Sequence, residues 1–159
     1  MFKKVLVAVL ATVLAFFMYF YFYHIKSPYI NTHIIDECTR LSLTGELTFP
    51  EQIKKLMEHD IERYSVDLVG LTKSSYAINN ECYTKPFPYN PGAVAEALDV
   101  EALKDAIKAS QQKEIDYKTF LNRAVAAGCC WYQVFIRGKK VVYFGRNGDT
   151  HIELFPSSK

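Results

Sequence analysis

The stretch Trp131–Pro156, WYQVFIRGKKVVYFGRNGDTHIELFP, decides how this chain is read. It reads as short strand-like runs, in which successive side chains point to opposite faces. Two turn signals, Gly138-Lys139 and Asn147-Gly148, divide it into three segments. Asn-Gly between strand-like runs is the strongest short hairpin signal, a type I′ turn whose two central positions take positive φ. Three short antiparallel strands follow. A two-residue turn at 147–148 sets 146 opposite 149, 144 opposite 151 and 142 opposite 153. One at 138–139 sets 137 opposite 140, 135 opposite 142 and 133 opposite 144.

That register predicts two unlike faces. Val134, Ile136, Val141, Tyr143, Ile152 and Leu154 form an ordinary core side for helices to cover. Trp131, Gln133, Phe135, Val142, Phe144, Arg146, Asp149, His151 and Glu153 form the other, where large apolar side chains are mixed with polar ones. A plain solvated face would be polar. A slip of one residue would exchange the faces.

Upstream, the same pattern recurs. A helix is expected over about 33–44, with Ile34, Ile35, Cys38 and Leu41 on one side and Gly45 as its stop. Thr48-Phe49-Pro50-Glu51 is a helix start with a capping box and a proline in the first turn. Phe49, Ile53, Leu56 and Met57 supply its apolar stripe. From Arg63 the period becomes two, with Tyr64, Val66 and Leu68 on one side. Gly70 marks a turn before a strand to about Ile78. Residues 79–92, with three prolines and no periodicity, read as a surface loop. Helix returns over about 93–112, with Asp99 as an internal cap, and again from Asp116 to Gly128.

Moving the first half by 68 positions lays Ile35 on Leu103, Thr48 on Asp116, Phe49 on Tyr117, Tyr64 on Tyr132, Val66 on Val134 and Gly70 on Gly138. Caps, stripes and turn glycine agree together, so a helix–helix–strand–strand unit is used twice, over about 33–76 and 101–144. The expected fold class is α+β, with both hairpins in one antiparallel sheet and the helices packed on one face. The third strand, carrying His151 and Glu153, has no clear counterpart at this offset.

Residues 5–23, VLVAVLATVLAFFMYFYFY, are uncharged and long enough to cross a bilayer as a helix. Residues 1–26 are therefore expected to be a single transmembrane anchor, and 27–159 one domain. A signal peptide cut after Ala15 is the rival reading. Lys3 and Lys4 ahead of the segment favour a cytoplasmic N-terminus, placing the domain outside a bacterial inner membrane. Setting aside Lys3, Lys4 and Lys26 leaves 16 basic against 17 acidic residues. That balance lacks the basic footprint of a nucleic-acid binder. Among Cys38, Cys82, Cys129 and Cys130, the adjacent pair lacks the spacing of zinc ligands. No metal or cofactor is expected, and Cys38 and one of the adjacent pair read as core fillers.

The residues Gly45–Glu51 (GELTFPE), Tyr64–Asp67 (YSVD), Ala106-Ile107 with Gln111, Ala127–Tyr132 (AGCCWY), Tyr143–Arg146 (YFGR) and Glu153–Pro156 (ELFP) resemble a prophage-associated bacterial family of unknown function, the YbcV-like proteins. Some members carry the label phage envelope protein. The resemblance spans roughly 33–156. It implies a compact α+β domain and brings no catalytic residue. The membrane segment departs from the family pattern.

Functionally, the mixed face is the candidate. Asp67, Trp131, Gln133, Phe135, Phe144, Arg146, His151 and Glu153 are its candidate ligand-binding residues, with aromatic walls and a few polar contacts. The favoured reading is a non-enzymatic binding or assembly module, tethered to the membrane, facing a protein partner or a second copy. The alternative is a small-molecule enzyme using His151 and Glu153 with Cys129 or Asp67. Phosphate-binding glycine loops, G-x-S-x-G elbows and H-E-x-x-H motifs do not occur.

Overall fold

The computed structural model describes residues 29–156. Within them are four helices and one antiparallel sheet of six strands: α1 (Thr32–Thr44), α2 (Phe49–Glu58), β1 (Ile61–Asp67), β2 (Thr72–Ala77), β3 (Cys82–Pro86), α3 (Val100–Gln111), α4 (Tyr117–Ala126), β4 (Cys129–Phe135), β5 (Lys140–Gly145) and β6 (Thr150–Leu154). The strand order is β3-β2-β1-β4-β5-β6. Each half therefore makes a three-stranded meander, and the two meanders meet at β1 and β4.

Local chemistry sets the helix ends. Asn31 caps α1 by accepting from Ile34 N–H, and Gly45 ends it at φ 77°. Glu51 reaches back to accept from the Thr48 backbone N–H at 2.9 Å, its half of the capping box, with Pro50 in the first turn. Asp116 caps α4 by accepting from Thr119 N–H at 2.8 Å. Asp99 caps α3, which begins at Val100. The expected helical start near 93 is thus corrected, because the cap ends the irregular segment before it.

The repeat runs deeper than the sequence pattern indicated. Every strand and both helices of the first half recur 68 residues later, β3 and β6 included. Residues 82–86, expected in a loop, are the counterpart of the third strand. The left-handed backbone positions recur too: Gly45 with Lys113, Asp60 with Gly128, Leu71 with Lys139, and Asn80 with Gly148. Each half also breaks its hairpin ladder at one place, between Ile61 and Arg63 and between Cys129 and Trp131. This bulge lets Ile61 and Tyr64, and Cys129 and Tyr132, all point inward although three residues apart. At the seam Ser65 lies opposite Gln133, its own equivalent, so a local two-fold axis passes between them.

The sheet has a covered and an open face. Ile61, Tyr64, Val66, Leu68, Ala77, Cys129, Tyr132, Val134, Ile136, Val141 and Tyr143 are buried with Ile35, Leu56, Leu103 and Leu121 of the helices. Both hairpin turns of the second half differ from the two-residue turns expected. Between β4 and β5 the loop is the four residues 136–139, which shifts the register by two and preserves the faces: Trp131 pairs with Phe144 and Gln133 with Val142. Between β5 and β6 the loop has three residues, with Gly148 N–H donating to Gly145 O and Gly148 at φ 85°. This is a type I turn followed by a left-handed glycine, the G1 bulge arrangement, rather than type I′. The register slips by one, Tyr143 pairing with His151 and Val141 with Glu153. The faces of β6 are therefore exchanged: His151 and Glu153 lie on the helix side, Ile152 and Leu154 on the open side.

Among the described residues no helix is long and apolar enough to cross a membrane. The expected anchor, residues 1–26, lies outside the described residues.

Gly128 tests the packing of the repeat. A Cβ there would lie 2.0 Å from the carbonyl oxygen of Ala97, at φ 85°. Gly128→Ala is expected to destabilise the domain by about 3 kcal/mol or more, whereas Asp60→Gly at the equivalent turn should be near neutral. Urea melts of the two variants check this.

Candidate functional site

The open face divides sharply at the seam. On the β4–β6 side Trp131 stacks on Phe144 with ring centroids 3.8 Å apart and planes 4° from parallel. Phe135, Val142, Ile152 and Leu154 extend this surface, and Lys140 lies over the Phe135 ring at 5.7 Å. On the β1–β3 side, the same positions carry Arg63, Ser65, Asp67, Ser74, Tyr76 and Thr84. The equivalent of the Trp131–Phe144 stack is Arg63 over Tyr76, its guanidinium 3.6 Å from the ring centroid. The first half proves that this fold keeps its shape with a polar open face. The rings and branched chains of the second half are thus not required by the hairpin itself.

The other candidate residues fall in different places. Gln133 and Phe135 join Trp131 and Phe144 on the open face, with Asp67 in register beside Trp131. Asp67 is committed to its own turn, accepting from Val69 N–H at 2.9 Å and Gly70 N–H at 2.8 Å. Arg146 sits in the β5–β6 turn and donates to Val94 O at 3.5 Å. There it lines a shallow open depression of about 380 Å³ with Leu68, Leu71, Asn90 and Val94. His151 and Glu153 lie on the opposite face, with His151 Nε2 3.5 Å from Glu153 Oε2 and Gln111 donating to Glu153 Oε1 at 3.0 Å.

The enzyme constellation is not assembled by this arrangement. Cys129 is fully buried and its thiol is pushed up to about 12 by that burial, so it stays protonated at neutral pH. Asp67 is on the far side of the sheet from His151 and Glu153. All four cysteines are free thiols. Among the described residues no group of three or more His, Cys, Asp or Glu side chains is placed to hold a metal.

One buried charged residue escaped the sequence reading. Lys73 of β2 points into the covered face, 2% exposed, where it donates to Thr39 Oγ1 at 2.8 Å and lies 4.7 Å from the Tyr64 ring centroid. Burial pushes its ammonium down to about 8. The nearby Asp36 carboxylate is held by Lys85 at 2.6 Å and by Tyr83. The repeat contained the signal: the equivalent position is Val141, assigned to the core, so Lys73 inherits an inward position. In the second half the equivalents of Lys73 and Thr39 are the apolar Val141 and Ile107, and Tyr132, the counterpart of Tyr64, shares a hydrogen bond with Tyr117. Burial raises both phenols, Tyr117 to about 12.

Residues 42–153 match the model of a family described as protein of unknown function (DUF1398). The chain belongs to that family. No curated protein matches the chain. Membership in the DUF1398 family assigns no reaction, so the reading of the surface rests on its own geometry.

The lysine makes a pH signature. Below about pH 8 both the folded and the unfolded chain hold the Lys73 proton, and the cost of burying the charge stands in full. Between about 8 and its ordinary value of 10.5 the folded chain releases the proton first and that cost fades. Lys73→Met should therefore be more stable than wild type by about 1–3 kcal/mol at pH 7. The difference should narrow steadily from pH 8 and be gone near pH 10.5 in urea melts.

Proposed function

We propose that this domain is a non-enzymatic binding and assembly module, and that the β4–β6 half of its open face is the surface that receives a protein partner. The divergence between halves supports this reading most directly. At equivalent positions the first half carries Ser74, Thr84 and Arg63 where the second carries Val142, Ile152 and Trp131, on one and the same scaffold. Ile152 and Leu154 remain 53% and 68% exposed. Trp131 and Phe144 at one end and Phe135 at the other flank Val142 and Ile152, with Lys140 at the border, and this enrichment in aromatic residues matches the composition of protein-binding surfaces. A partner with an apolar face of its own is the occupant this chemistry fits.

The uncharged run 5–23 supports a membrane tether, with the domain outside the cytoplasm of a bacterial cell and the contact face presented at the envelope. The resemblance to prophage-associated proteins fits such a role.

A photo-crosslinking residue placed at Val142 of the full chain in native membranes should form protein adducts at least fivefold more often than one at Ser74. Trp131→Ser with Phe144→Ser should abolish the adducts at Val142 while leaving the circular dichroism unchanged. Equal yields from the two positions, or adducts to lipid alone, would sink the proposal. A reporter active only outside the cytoplasm, fused after Lys159, should be active, and an inactive fusion would reverse the orientation.

A further inference from the structure

We infer that two copies of this chain join through β6, antiparallel about a two-fold axis at Ile152, so that one sheet runs through both. The inference starts from the backbone. Gly145 N–H donates to Asp149 O at 2.8 Å and Phe155 N–H to Lys139 O at 2.9 Å, which places the hydrogen-bonded pairs of β5 and β6 at the odd-numbered residues of β6. By the alternation of an antiparallel ladder, the N–H and C=O groups of Thr150, Ile152 and Leu154 point away from β5.

The two edges of the sheet are not alike. At the positions equivalent to Thr150, Ile152 and Leu154, the β3 edge carries Cys82, Thr84 and Pro86. Pro86 has no N–H to offer, and a proline is a common way to blunt an edge strand. The chain entering α1 also reaches the start of β3, where Ile30 N–H donates to Glu81. The β6 edge has no proline, and its outward residues are a threonine and two exposed branched apolar side chains.

β6 is complementary to itself. Centred on Ile152, antiparallel pairing sets Ile152 opposite Ile152 of the second copy and Thr150 opposite Leu154. Every outward backbone group of the strand then finds a partner. On the helix side His151 comes opposite Glu153 of the second copy, twice over, in the closely spaced pairs where side chains approach best. Within one copy the only carboxylate beside His151 Nε2 among the described residues is its own Glu153, at 3.5 Å and without hydrogen-bond geometry, so the pairing sets a second carboxylate beside the ring. The molecule already contains this kind of junction: β1 and β4 join two equivalent units about a local axis.

The pairing would also enlarge the contact surface, a consequence that rests on the reading given above. Three strands of about five residues cover a footprint of roughly 250 Å², well short of the ~800 Å² per partner of a standard interface. Joining two copies at β6 places their apolar halves side by side and doubles that platform.

Disulfide trapping tests the pairing in the full chain, in mild detergent and with Cys82→Ser to remove the exposed native thiol. Ile152→Cys should cross-link to a dimer on oxidation, because the Cα separation of a hydrogen-bonded pair, about 5.5 Å, suits a disulfide. Thr150→Cys and Leu154→Cys should each stay uncross-linked alone and link when mixed. By light scattering the wild-type protein should weigh twice 18.3 kDa, and Ile152→Pro half of that with unchanged circular dichroism. No cross-link at 152, equal cross-linking by Thr150→Cys alone, or an unchanged mass for Ile152→Pro would overturn the inference. Trp131→Ser should leave the cross-link at 152 intact, so failure of the edge pairing and failure of the face as a partner site are distinguishable.

Discussion

The seam between β1 and β4 is the constraint on which the rest of the molecule depends. Each half is a helix pair and a three-stranded meander, and a meander alone would leave Tyr64, Val66 or Tyr132, Val134 at an open edge. Antiparallel pairing from Arg63–Phe135 to Asp67–Trp131 closes both edges at once. It also puts Ser65 against Gln133, so the two halves are related by rotation about that point. The strand order, the shared core and the single covered face all follow from this pairing. Equivalent bulges at residues 61–63 and 129–131 keep the inward residues aligned on either side.

With the scaffold duplicated, the two halves are free to differ, and they do so on both faces. On the covered face the first half holds Lys73 against Thr39 and Tyr64, whereas the second has Val141 there and packs Tyr132 with Tyr117 and Tyr143. On the open face the first half pairs arginine with tyrosine and serine with serine, while the second stacks tryptophan on phenylalanine. A stack of this kind adds about 0.5–1.5 kcal/mol beyond area burial, which offsets part of the cost of leaving apolar surface in water. The polar half shows that the scaffold does not demand the exchange. The proposed binding role rests on that freedom.

The candidate site was partly legible before the structure. Trp131, Gln133, Phe135 and Phe144 were placed on one face correctly, because an error of two residues in the first turn preserves the alternation. His151 and Glu153 were placed on the wrong face, because an error of one residue in the second turn reverses it. Asn147-Gly148 signals a hairpin in either case, but type I′ and a type I turn with a glycine bulge share that dipeptide and differ in loop length by one. Lys73 was missed because a lysine in a strand is expected to face water, and only its alignment with Val141 says otherwise.

By itself, the sequence determined the presence of the four described helices, the caps at Thr48 and Asp116, the stop at Gly45, the α+β class and the 68-residue repeat, since these follow from local propensity and side-chain period. The tertiary structure decided what depends on contacts between distant segments. β3, hidden among Asn79, Asn80 and the prolines, is a strand because β2 offers it a ladder, and it completes the repeat. The length of the β5–β6 loop, and with it the face on which His151 lies, goes with the close approach of Gly145 to Leu98 and Asp149 and with the Gly148 N–H donating to Gly145 O. The division of the open face into a polar and an apolar half became visible only when the seam set Ser65 beside Gln133, because side-chain character is local but adjacency is not.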